Sequence, residues 1–151
     1  MNEINGHIVD ILLVEDSPSD AMMTREALAS SRVLNRLHTV DDGVAAIEFL
    51  RKKGKYATSP RPGIILLDLN LPRKGGIEVL KEIKEDPELR AIPVVVLTTS
   101  KAQEDIGRSY GLHANCYVCK PIEFPKLAEA VRAVGNFWLC FVTLPPQEVQ
   151  A

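Results

Sequence analysis

The chain of 151 residues is 46% hydrophobic and 25% charged, with a formal net charge of −2. That fits one globular domain with a short extra piece. No basic cluster extends beyond Arg51-Lys52-Lys53, so charge gives no case for nucleic acid or an anionic membrane, and the apolar runs fall far short of the ~20 residues a membrane span needs. Met1 to His7 is polar and too short for a signal peptide, which makes the cytoplasm the expected location.

Taken in chain order, Ile11-Leu12-Leu13-Val14 reads as a strand buried on both faces, the pattern of a central strand in a parallel sheet. Ser17-Pro18-Ser19-Asp20 resembles a capping box with Pro at the first helical position, opening a helix to about Ala29. Residues 36–40, "RLHTV", are mixed and read as an edge strand, followed by a helical stripe of Val44, Ile47 and Leu50. The polar Gly/Pro stretch 53–62 is expected to be a loop. Ile64 to Leu67 is a second buried strand, and Ile77, Leu80 and Ile83 mark the third helix. Val94 to Leu97 is a third buried strand. The helix expected over 102–110 has only Ile106 and Tyr110 as sizeable anchors, and should be the loosest. Residues 114–118, "ANCYV", form the second edge strand, and Phe124, Leu127, Ala128, Val131 and Val134 stripe the fifth helix. Cys116 and Cys119 match C-x-x-C, but on a strand positions i and i+3 point to opposite faces, so packing is expected rather than redox or metal chemistry. With Cys140 they make no disulfide framework.

Five alternating βα units predict an α/β doubly wound parallel sheet with right-handed crossovers, its two polar strands at the edges in the order 2-1-3-4-5. In such sheets ligands bind beyond the carboxyl ends of the strands. Those ends carry Glu15-Asp16, Asp68, Thr98 and, after the fifth strand, Lys120-Pro121. Each has an ordinary explanation alone: a helix cap, a turn residue, a β-former, a surface charge. Their coincidence on one rim is what carries weight. Three carboxylates a few ångströms apart cannot all stay ionised without a cation, and an all-oxygen set suits Mg²⁺ rather than zinc. Lys120 reads as too long and too weakly charged to offset them alone, and is expected to meet a ligand anion instead.

The acidic pair, "LLDLNLP" with Gly75-Gly76, "VVVLTTS" and "YVCKP" at these spacings resemble the receiver domain of two-component response regulators, over about residues 8–135. "VEDSPSD", "LTTSKAQEDI", "SYGLHANCYVCKP" and "NFWL" further resemble the stand-alone regulators that serve phytochrome-type histidine kinases. The resemblance implies a flavodoxin-like (βα)5 fold with Asp68 as phosphoacceptor. It implies Mg²⁺ held by Asp16, Asp68 and the Asn70 backbone carbonyl. Glu15 stands where many receivers have Asp, and would reach the ion through a water; direct contact is the alternative. Thr98 and Lys120 would bind the phosphoryl group, Thr98 and Tyr117 would form the switch, and Lys120-Pro121 is a cis-peptide candidate. A sensor histidine kinase is the implied donor, and the readout would be a surface that binds a further protein. One rival is an aspartate-nucleophile phosphatase, which needs a second acid where Asn70 stands. A nucleotide or flavin binder of the same fold would want a Gly-rich turn after strand one, where Glu15-Asp16 repels phosphate. A third is a receiver that signals by binding alone.

Residues 136–151 exceed what that fold requires. Phe137, Trp138, Leu139, Phe141, Val142 and Leu144 make a nearly continuous apolar stretch before Pro145-Pro146. The helix is expected to end near Leu139 and give way to an extended arm. Both faces of that arm are apolar, so it must be covered. A homodimer in which arms and fifth helices pack across a two-fold axis is the preferred reading, and folding back on the domain the alternative.

Overall fold

The computed structural model describes residues 8–29, 34–98, 114, 116–120 and 123–142. In chain order these form β1 (Val9–Val14), α1 (Pro18–Ala29), β2 (Asn35–Val40), α2 (Gly43–Leu50), a single 3-10 turn (Gly54–Tyr56), β3 (Ile64–Asp68), α3 (Gly76–Glu85), β4 (Val94–Thr98), β5 (Cys116–Cys119) and α4 (Phe124–Val142). The five strands form one sheet in the order β2-β1-β3-β4-β5, and every pair is parallel. Both edge strands are the polar ones, as their patterns require.

The central strands are apolar on both faces because both faces are covered. Leu12, Val14, Ile65, Leu67, Val94 and Val96 pack against Ala46, Ile47, Phe49 and Leu50 of α2 and Val79, Leu80 and Ile83 of α3. The alternate residues Ile11, Leu13, Ile64, Leu66, Val95 and Leu97 pack against Ala27 and Leu28 of α1 and Leu127 and Val131 of α4. With period two, one strand feeds two cores, and burying each such side chain contributes about 1.5–3 kcal/mol over leaving it in water.

Helix starts follow their caps. The Asp20 N–H donates to Ser17 Oγ at 3.3 Å, and Pro18 occupies the first turn, where its missing N–H costs nothing. The capping box is only half made, because Asp20 places its own carboxylate elsewhere. Asp42 caps α2, accepting the Ala45 N–H at 2.8 Å. At α3 the Gly75 N–H donates to Glu78 Oε1 at 3.1 Å. Gly76 begins α3 hard against the end of β3, where an added Cβ would run into the Asp68 carbonyl oxygen and the Leu69 Cα. Both are backbone and cannot swing aside. Gly76→Ala should therefore cost about 1–3 kcal/mol, read as a lower urea midpoint with an unchanged slope; an unchanged midpoint would mean that the loop 69–75 yields freely.

Two expectations change. The loop 53–62 contains the short Gly54–Tyr56 turn. The extended arm after Leu139 gives way to helix, since α4 continues through Val142. Extending a formed helix fixes one residue per hydrogen bond gained, and Phe or Val lowers that gain by only tenths of a kcal/mol. A boundary at residue 136 thus falls inside α4. The helix expected over 102–110, Pro121 and with it the Lys120-Pro121 peptide, and Leu144 lie outside the described residues. Among the described residues no helix is long and apolar enough to cross a membrane.

Candidate phosphoacceptor and metal site

Parallel pairing of β1 with β3 brings their carboxyl ends together: Val14 is in register with Leu67, so Glu15 and Asp68 follow side by side. Both acids are buried at 2% exposure, whereas Asp16 is exposed. One oxygen from each of Glu15, Asp16 and Asp68 lies within 4.8 Å of the others. The Asn70 N–H donates to Asp68 Oδ1 at 2.9 Å, and the Ser17 N–H to Glu15 Oε2 at 3.3 Å. Thr98 is fully buried at the end of β4, and its carbonyl accepts the Lys120 N–H at 2.8 Å, tying that strand end to the lysine. Tyr117, half-buried on β5, packs against the core under α2 and α3.

Lys120 is where sequence reasoning fell short. Its ammonium reaches in among the acids, 2.8 Å from Glu15 Oε1, 2.9 Å from Asp20 Oδ2 and 3.0 Å from Asp68 Oδ2. Asp20 was missed as a member of the site. A signal existed, an acid in the first turn of the helix that follows the acidic pair, but the helix-cap reading absorbed it. Burial alone would lower the Lys120 ammonium, yet its bonds to the three carboxylates outweigh that and hold it above its ordinary value.

One lysine does not neutralise the cluster. Burial, and then the Asp68 carboxylate beside it, push the Glu15 carboxyl up to about 7 against the pull of Lys120. A carboxyl pushed up by burial and by a second carboxylate beside it marks a site short of positive charge. Its all-oxygen, carboxylate-rich donors fit a hard divalent cation. The pH consequence has a definite sign. Below the ordinary carboxyl value of 4.5 both folded and unfolded chains hold the Glu15 proton. Between there and about 7 the unfolded chain releases it and the folded chain keeps it. Stability of the metal-free protein should accordingly fall as pH rises from about 5 to 8, by about 1–3 kcal/mol. Glu15→Gln should flatten that profile. Urea unfolding in EDTA across the range measures it, and an equal slope in the variant would assign the titration to another group.

Residues 11–132 match the family described as the response regulator receiver domain. Response regulator Rcp1 of Synechocystis sp. is 51% identical over 135 residues, covering 89% of this chain and 92% of that protein. The phosphorylated cyanobacterial phytochrome response regulator RcpA is similar with a TM-score of 0.74 and 50% identity, over 88% of this chain and 95% of that one. The Mn²⁺-bound form of Rcp1 gives 0.73 at 50% identity, over 87% and 94%.

Proposed function

The chain belongs to the response regulator receiver family, and from that premise we propose that Asp68 accepts a phosphoryl group from the phosphohistidine of a sensor histidine kinase, one of the phytochrome type, in the cytoplasm. The observation that carries this is the setting of Asp68: buried at the end of β3, with one oxygen held by the Asn70 N–H and the other 3.0 Å from the Lys120 ammonium. A carboxylate fixed at both oxygens is oriented for in-line attack, and positioning is most of what a loose phosphoryl-transfer transition state needs. The Asp68 oxygen forms a bond to phosphorus as the P–N bond of the donor breaks, and the donor ring, already protonated on its other nitrogen, leaves as neutral imidazole.

Asp16, Asp68 and the Asn70 carbonyl would hold Mg²⁺, with Glu15 reaching it through a water. Bound there, the ion supplies charge neutralisation for the phosphoryl oxygens. The Mn²⁺-bound Rcp1 structure supports a divalent ion in this family. Lys120 pairs one phosphoryl oxygen, and the Thr98 hydroxyl donates to another. Phosphorylation adds about −1.5 to −2 of charge beside them. Thr98 moves toward the new group, Tyr117 follows, and the changed surface binds a downstream protein. Asn70 cannot lend the proton an aspartate-nucleophile phosphatase needs from that position, which argues against the enzyme reading. Incubation with a small phosphodonor and Mg²⁺ should add one phosphoryl group by intact mass. No mass gain would leave a receiver that signals by binding alone.

The tail reading extends this. α4 runs as helix through Val142, so Phe137, Trp138, Leu139, Phe141 and Val142 share one helix, which we read as the seam of a homodimer packed across a two-fold axis. Truncation after Asn136 should sediment as a monomer and still take phosphate. A full-length chain that is monomeric at high micromolar concentration would refute the dimer.

A further inference from the structure

The Lys120 ammonium has three N–H donors and lies against three carboxylates. Two of them, Glu15 and Asp68, belong to the set whose oxygens converge as a cation site. Asp20 does not. It comes from the first turn of α1, while Lys120 follows β5, a hundred residues later in the chain. The three acids also differ in exposure: the side chains of Glu15 and Asp68 are 0% and 3% exposed, and that of Asp20 is 31% exposed. Asp20 is thus the solvent-exposed member of the three acids that meet the ammonium.

That arrangement has a consequence when charge in the pocket changes. Were Glu15 and Asp68 turned to a divalent cation, they would be drawn from the ammonium. Lys120 would then keep Asp20 alone of its three partners. We propose that Asp20 is a positioning residue: it retains the Lys120 ammonium on the rim of the pocket while Glu15 and Asp68 pass to the cation, so that the ammonium is in place to meet an incoming phosphoryl oxygen. This deepens the phosphoacceptor reading and rests on it. Without Asp20 the ammonium has only the two buried acids to pair with. It then withdraws onto them and opposes cation entry.

Five full-length proteins test this: wild type, Asp20→Asn, Asp20→Glu, Lys120→Gln and the Asp20→Asn, Lys120→Gln double variant that closes the cycle. Mg²⁺ affinity is read by calorimetry without phosphodonor. Phosphoryl uptake from phosphoramidate is read by intact mass at limiting and saturating donor. Asp20→Asn should weaken Mg²⁺ several-fold and slow uptake about tenfold at saturating donor, with a smaller change in the donor concentration for half-maximal rate. Asp20→Glu should recover most of both losses, since a carboxylate is still offered to the ammonium. In the Lys120→Gln background Asp20→Asn should add nothing, because its partner is gone. An Asp20→Asn protein equal to wild type in both readouts overturns the proposal. So does a loss of equal size with and without Lys120, which would mean that Asp20 acts by its charge alone. A wild-type protein that takes no phosphoryl group defeats the phosphoacceptor reading instead, and the Mg²⁺ titrations still decide whether Asp20 governs Lys120.

Discussion

Asp68→Asn will gain no phosphoryl mass under conditions in which the wild-type chain gains one, and without metal it will be the more stable protein. The first outcome follows from chemistry: an amide is nearly isosteric with the carboxylate but is a poor nucleophile. The second follows from the surroundings of Asp68. The amide oxygen can keep the Asn70 N–H that Asp68 Oδ1 accepts at 2.9 Å. Its NH₂ group then stands where Asp68 Oδ2 met the Lys120 ammonium. The negative charge that helps to push the Glu15 carboxyl up is removed. The lost contact is the Lys120 ammonium at 3.0 Å, which retains Glu15 and Asp20. The net gain should be about 1 kcal/mol, and Mg²⁺ should add less stability to the variant than to wild type. Intact mass and urea unfolding with and without Mg²⁺ measure both halves. An undiminished mass gain would move the acceptor elsewhere, and a destabilised variant would show that Lys120 already balances the cluster.

Much of this site was legible in the sequence, for a reason that lies in the fold. Four of its groups stand at strand ends, and a buried parallel strand announces itself as an unbroken apolar run. Once Ile11 to Val14, Ile64 to Leu67 and Val94 to Leu97 were placed as central strands, the residues after them had to share one rim. What stayed hidden depends on side-chain reach rather than pattern. Nothing in "DSPSD" says that Asp20 turns away from its cap to meet a lysine a hundred residues on. Nor does Lys120, read alone, show that its stem brings the ammonium in among the acids. The tail was misread from composition: its aromatic and β-branched residues suggested an extended arm, but a helix already nucleated upstream tolerates them.

The largest stability effect is expected at Lys120. Its side chain is 7% exposed, and the Glu15 and Asp68 side chains against it are 0% and 3% exposed. Lys120→Met keeps much of the stem and removes the charge. The buried acids then lose their shared counter-ion, and breaking such a group by deleting one partner costs about 3–5 kcal/mol when the remaining charges cannot escape. Here one of them can. Glu15 already holds its proton up to about pH 7, and without the ammonium that value rises further. The folded variant therefore keeps its proton at about pH 5.5, and the loss there should be much smaller. By the linkage sign, stability disappears as pH climbs through the raised Glu15 value, so the variant should be weakest near about pH 8 in EDTA. Saturating Mg²⁺ should restore much of it, because a cation bound by the folded chain alone stabilises it by mass action, about 2.7 kcal/mol at a hundredfold excess over Kd. Urea unfolding of wild type and Lys120→Met at both pH values, with EDTA or Mg²⁺, gives the four differences. A variant as stable as wild type in EDTA at about pH 8 would mean that Lys120 is not the counter-charge of the metal-free pocket. Equal losses at both pH values would mean that Glu15 does not take up the proton.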